Sequence, residues 1–464
     1  MSTHSTHSAV FLTGIVLCLI LSQLDWPRAG LAEAEADQLI PCENYRLKNG
    51  LQVILHEDHR APFVAVQVTY HFGPLYEQSK TRGVAHLIEH LMEGSTEHLK
   101  PGTPGAHLRR IGAVKIHLDL EPDRTDSWSV VPSANLEPAL WVESDRMGFR
   151  LPAVTREDIA TNKKLIELED HQRLSTVPYV VGDDQLSAAL IPLGHSFSGN
   201  WRGIVPAVSS PAELAPILRR FYAPSNATLV LAGDFTWKDA VSLVDKYFSS
   251  LPTMPPPAMP QIELGAIEKE VVFKQTDAVA RRPRVRLGWL APALKQADSA
   301  VAELVALLLD RGTSGRLYEQ LIRPAGLAQD VRATRVVRSP QSLLLITAYA
   351  ERETALPEIV KGIDAVLQEL ASTEVSADEL TAVKRRHANQ RLLQLHDILN
   401  KAHLLQTYNH HLGMPDGLDQ ELARIEQVSA AQVQKFVRDY LAPAHRIVLY
   451  SMAAQQVVIS GEKP

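Results

Sequence analysis

Cysteine is nearly missing from this chain: Cys18 and Cys42 are the only two in 464 residues. Cys18 lies inside an apolar run at the N-terminus that reads as an export leader. Removal of that leader leaves Cys42 alone, so neither an internal disulfide nor a cluster of thiolate metal ligands can form. Aromatic residues are sparse too, at 6%, and neither sign of charge dominates, with a net charge of −6 and a pI near 6.3. That balance argues against a nucleic-acid-binding protein, which carries a basic face. Long hydrophobic runs are absent beyond residues 9–24, so no other stretch is expected to cross a bilayer. What is present, 45% hydrophobic and 22% charged residues, is ordinary for a globular protein. The length exceeds what one hydrophobic core usually serves, so two or more domains are expected.

The run Ala9–Leu24 is followed by the small residues Ala29-Gly30-Leu31-Ala32-Glu33-Ala34, which offer an A-x-A-like cleavage site. Residues 1–34 therefore read as a signal peptide, although no Lys or Arg precedes the run. Export to the periplasm is the expected fate. The alternative is a retained membrane anchor, for which 16 apolar residues are short.

The rest of the chain repeats itself. Ala61-Pro62-Phe63-Val64-Ala65-Val66 is echoed by Arg282-Pro283-Arg284-Val285-Arg286-Leu287, 221 residues later. Glu93-Gly94-Ser95-Thr96 is echoed by Arg311-Gly312-Thr313-Ser314 after 218 residues, Val154–Ile159 by Val375–Leu380 after 221, and Tyr222-Ala223-Pro224 by Leu441-Ala442-Pro443 after 219. Four echoes in one order at nearly one offset imply an internal duplication. Between the copies, the proline-dense stretch at 251–261 reads as an extended linker, because proline fixes φ and withholds a backbone donor. The domains are thus expected at 38–250 and 262–464. Alternating, β-branched segments at 52–55 and 64–70 read as strands, and Asn49-Gly50 as a hairpin turn. Residues 83–93 and 155–173 read as helices, and 228–231 and 446–450 as closing strands. The class is α+β: two homologous domains, each a mainly antiparallel sheet with helices on one face.

The chemistry-bearing motif is His86-Leu87-Ile88-Glu89-His90. Two histidines four apart on a helix project from one face, as two ligands of one zinc ion must. Glu89, between them, is placed to act as general base toward a water that zinc polarises. The order H-x-x-E-H is the inverzincin signature. Apolar neighbours at 84, 85, 87, 88, 91 and 92 bury this helix, and a metal would satisfy its polar side chains. In the second copy, Leu304, Leu307 and Leu308 stand opposite His86, Glu89 and His90. One half therefore carries metal and the other is a metal-free copy. A third ligand is sought on helix 155–173, which offers Glu157, Glu167 and Glu169. Glu167 and Glu169 are roughly 200° apart on a helix, so only one can face the ion. Glu169 shares a face with Asn162, Leu165 and Ile166 and is preferred, with Glu167 as the alternative.

These residues resemble the insulinase/pitrilysin peptidases. The resemblance lies in Tyr45–Val53 (YRLKNGLQV), Gly83–Thr96 (GVAHLIEHLMEGST), Ala139–Met147 (ALWVESDRM) and, in the second half, Ser314–Leu321 (SGRLYEQL) with Gly326-Leu327-Ala328. It covers nearly the whole mature chain and is nearest the short, two-domain type of bacterial and mitochondrial processing peptidases. It implies zinc held by His86, His90 and Glu169, Glu89 as general base, and peptide or unfolded-protein substrates bound along a sheet edge near Ile116, His117 and Leu118. It also implies pairing into a homo- or heterodimer. Asn162 stands where the family often has a second glutamate, the usual asparagine–alanine pair is replaced around Lys115–Leu118, and no arginine–tyrosine pair is found after Val331. The expected function is an exported zinc metalloendopeptidase, the zinc-bearing subunit of a dimer. The rival is a catalytically weak or inactive binding or assembly subunit.

Overall fold

The computed structural model describes residues 38–99, 103–150, 153–190, 200–259, 262, 266–310, 312–323 and 326–454. The leader expected over 1–34 lies outside them, as does part of the proline-dense stretch. The first sheet is built from β1 (Glu43–Arg46), β2 (Gln52–Glu57), β3 (Phe63–Tyr70), β4 (Lys115–Glu121), β5 (Arg124–Pro132) and β6 (Ala227–Gly233), in the order β1-β2-β6-β3-β5-β4. The second contains β7 (Val271–Asp277), β8 (Arg284–Ala291), β9 (Asp330–Val336), β10 (Ser342–Tyr349) and β11 (Arg446–Ala453), in the order β7-β11-β8-β10-β9. Without β1, the two orders coincide strand for strand. Each sheet has one parallel pair, β2 with β6 and β7 with β11, and is otherwise antiparallel. The duplication seen in the sequence is thus a duplicated sheet.

Six of the fourteen helices among the described residues position the site and the junction between halves: α1 (Val84–Met92), α2 (Arg156–Thr176), α3 (Val180–Ala189), α4 (Ser299–Leu309), α5 (Ala377–Gln394) and α6 (Ile398–Leu412). The helices α1 and α4 follow β3 and β8, the same place in each copy. Both are buried against their own sheet, α1 through Leu87, Ile88 and Leu91 and α4 through Leu304, Leu308 and Leu309. Each such side chain contributes roughly 1.5–3 kcal/mol on burial.

The expectation of helices on one face only is incomplete. Strand β3 alternates between two cores: Val64, Val66 and Val68 pack with α1, while Ala65 faces the other way. That second face, with Ile54, Val230 and Ala232, is covered by Leu399, Ala402, Leu405 and Tyr408 of α6, a helix of the other half. Reciprocally, Leu186 of α3 and the following Leu190 cover Leu343, Leu345, Ile447 and Leu449 of the second sheet. The halves exchange helices, so strands such as β6 are buried along their whole length, as in sheets covered on both faces. Polar ties follow the exchange: Arg284 and Arg286 of β8 pair with Asp183 of α3 at 2.6 and 2.7 Å.

Candidate metal centre

Helix α1 begins at Gly83, whose φ of +80° favours glycine, and a Cβ there would lie 2.3 Å from the Ile204 carbonyl oxygen. No N-cap side chain closes this helix. Instead the buried Glu77 carboxylate accepts from the backbone N–H of Gly83 (2.8 Å) and of Ala85 (2.7 Å). Two donors that every helix leaves open are thereby satisfied, and the acid sits at the positive end of the helix dipole. Helix α2 is started by a capping box, in which Thr155 Oγ1 accepts from the Asp158 N–H and Asp158 Oδ2 from the Thr155 N–H. The α1 helix packs against α2 and β4, and that contact assembles the site.

His86 is almost fully buried, and its Nδ1–H donates to the Arg202 carbonyl oxygen at 2.8 Å. That bond leaves Nε2 as the lone-pair nitrogen. His86 Nε2 lies 3.2 Å from His90 Nε2. One oxygen of Glu169 lies 3.1 Å from His90 Nε2 and 3.5 Å from His86 Nε2. Ligand atoms about 2.1 Å from a tetrahedral zinc stand about 3.4 Å apart, so these three atoms form one face of such a tetrahedron. Two imidazole nitrogens and a carboxylate oxygen converging on one point suit a divalent cation. Glu89 Oε2 lies 3.7 Å from His86 Nε2, beside the face rather than within it. Burial, then the neighbouring His90, lowers the His86 pKa to about 4, so this imidazole is neutral at ordinary pH, the form that ligates. Burial, then Glu169, pushes the Glu89 carboxyl up to about 7.

Of the residues singled out in the sequence, Glu89, His90, Ile116, His117, Leu118, Asn162 and Glu169 line one cleft of about 670 Å³, while the buried His86 is not among its lining residues. Ile116, His117 and Leu118 lie on β4, an edge strand that pairs only with β5 among the described residues. Asn162 lines the cleft with its amide turned to its own helix, donating to the Asp158 carbonyl oxygen at 2.8 Å. Glu167 does not line this cleft. Two contributors escaped the sequence reading. Glu77 carries no spacing signal, and the Arg202 carbonyl is a backbone group 116 residues from the histidine it orients.

Two family models match this chain: "Insulinase (Peptidase family M16)" over residues 52–113 and "Peptidase M16 inactive domain" over 210–386. The zinc protease PqqE of Helicobacter pylori is 25% identical over 351 residues, 74% of this chain and 77% of that protein. Among solved structures, a protease from Helicobacter pylori superposes with a TM-score of 0.79 at 22% identity, covering 89% of this chain and all of that one. The periplasmic protease PqqL of Escherichia coli superposes with a TM-score of 0.74 at 18% identity, covering 89% of this chain and 48% of that one. At these identities the structural likenesses establish the fold. Taken with the inverted His-Glu-His motif on α1 and the duplicated sheets, the two family models and the zinc-protease relative place this chain in the insulinase (M16) family of peptidases.

Proposed function

We propose that this chain is an exported zinc metallopeptidase, with zinc held by His86, His90 and Glu169 and with Glu89 as general base. The observation that carries the reading is the convergence of two imidazole nitrogens and one carboxylate oxygen at 3.1, 3.2 and 3.5 Å, beside a second, protonatable carboxylate, that of Glu89. Zinc supplies Lewis-acid polarisation of the attacking water and of the scissile carbonyl. Glu89 takes the proton that this water loses and delivers it to the leaving amine. The Arg202 carbonyl keeps the His86 ring in its ligating tautomer. Substrate enters as an extended strand on the free edge of β4, so that backbone pairing supplies affinity and the cleft reads alternate side chains. Export rests on the apolar run at 9–24. A second copy or a related chain closes the open cleft, as the family resemblance implies.

The test is Glu89→Gln in the full chain, assayed on an unfolded polypeptide. Zinc content should stay at the wild-type level while hydrolysis falls by about 10²–10⁴-fold, the usual contribution of a general base. Hydrolysis at the wild-type rate would remove Glu89 from the chemistry. Asn162 in place of an acidic residue and the departures around Lys115–Leu118 motivate a second reading, a non-catalytic assembly subunit. A purified chain that binds zinc yet cleaves nothing, alone or with a related chain, would establish that reading.

A further inference from the structure

We propose that Asp123, His410 and His411 form a second metal site, for a divalent transition cation of the zinc and cobalt class, at the junction of the two halves. One ligand atom from each of the three lies within 4.8 Å of the other two. Asp123 belongs to the turn between β4 and β5, while His410 and His411 occupy the last turn of α6, the helix the second half lends to the first. The side chains of His410 and Asp123 are 6% and 2% exposed.

The bonding around His410 is what asks for a cation. Its Nε2 lies 3.2 Å from Asp123 Oδ2, yet the carboxylate is out of line with the ring and Nε2 has no hydrogen bond. The separation is close to the edge of a tetrahedral ligand set. The other Asp123 oxygen is taken by Arg124 at 3.3 Å, which leaves Oδ2 facing the imidazole. On the far side of the ring, His410 Nδ1 lies 2.8 Å from His71 Nδ1, and His71 Nε2 lies 2.9 Å from Thr228 Oγ1. Only one of the two facing Nδ1 atoms carries a proton. With it on His410, each contact is satisfied in sequence: His410 Nδ1–H donates to His71 Nδ1, and His71 Nε2–H donates to Thr228. His410 Nε2 then faces the carboxylate and a positive charge must lie between them, either a second proton on the ring, which makes a His410–Asp123 ion pair, or a metal ion, and the convergence of His411 on the same point favours the ion. With the proton on His71 instead, a buried His410 Nε2–H lacks an aligned acceptor.

His411 completes the set. Its Nδ1 lies 3.0 Å from the Ser339 hydroxyl, which fixes the ring, and the Ser339 N–H donates to Asp123 Oδ2 at 3.2 Å. Two imidazoles with one carboxylate favour zinc, cobalt or nickel over calcium or magnesium, which take all-oxygen sites. An ion here would pin the end of α6 to the β4–β5 hairpin, whose first strand borders the cleft at the first centre.

The experiment uses the full-length chain with His86→Ala and His90→Ala, which removes the first centre whatever its role. Stripped with a chelator and titrated with Co²⁺, this variant should retain about one ion per chain with the visible absorption of a tetrahedral site. Adding His411→Gln or Asp123→Asn should weaken that binding by about 100-fold or more. Anomalous scattering from Co²⁺ in crystals of the double variant should place the ion beside His410 Nε2, a readout that does not depend on how the additional variants fold. A double variant that binds no Co²⁺, or an ion located elsewhere, overturns the proposal.

Discussion

At the scale of single residues, the sharpest question is which glutamate of α2 completes the first centre. Glu169 places an oxygen 3.1 Å from His90 Nε2, whereas Glu167 points to another side of the same helix and does not line the cleft. Glu169→Gln keeps shape and removes charge, so zinc affinity should fall by more than the roughly 10–100-fold typical of losing an outer-sphere partner. Glu167→Gln should leave it unchanged. Competition against a chromogenic chelator reads both, and equal affinities in the two variants would remove Glu169 from the ligand set. The helix period alone left these two residues as alternatives with a preference, because 3.6 residues per turn separates their faces. What the period could not supply was the partner of each ring's other nitrogen. His86 finds the Arg202 backbone, and His410 finds His71, 339 residues away. Such contacts are made by tertiary folding and leave no local spacing to read.

At the scale of elements, the boundaries of α1 and α2 were legible because apolar spacing and the Thr155–Asp158 box both mark them. What caps the start of α1 was not, since it is the Glu77 side chain from the preceding loop rather than a residue at the N-cap. In Glu77→Gln one of the two acceptor oxygens becomes an NH₂ group. A backbone N–H at the start of α1 then faces another donor in a buried site, at a cost of about 1–3 kcal/mol. Because the histidines lie within the first two turns of that helix, hydrolysis should fall along with the unfolding midpoint. Urea denaturation and activity measured on one preparation test this. A variant as stable and as active as wild type would show that α1 needs no such cap.

At the scale of the whole molecule, each half has an apolar sheet face covered by the other half's helix, so the polar ties at those helices report on the exchange. Local patterning identified two copies of one unit, but nothing in a single helix says which sheet it will cover. The tie on α6 is Lys401, buried, donating to Asp58 Oδ2 at 2.7 Å and to His56 Nε2 at 3.0 Å. The opposite nitrogen of His56 is held by the Pro41 carbonyl oxygen at 2.7 Å. Lys401→Met fills the volume but strands the His56 nitrogen and leaves Asp58 with Arg60 alone. The expected cost is about 3 kcal/mol, the low end for breaking a buried ion pair, because Arg60 remains at 2.8 Å. Hydrogen exchange should quicken in α6 before it quickens in α4, which packs only within its own half. Arg60, opposed by burial and aided by Lys401, holds the Asp58 carboxyl well below the usual carboxylate range. The unfolded chain therefore binds a proton at Asp58 that the folded chain refuses. The stability from this tie is complete above about pH 4 and drains as pH falls below it. Wild type and Lys401→Met should differ most in urea midpoint near neutrality and converge in acid. A difference that is constant with pH would mean that the lysine acts through packing alone, and equal exchange rates in α6 and α4 would mean that the exchanged helix is not held by this tie.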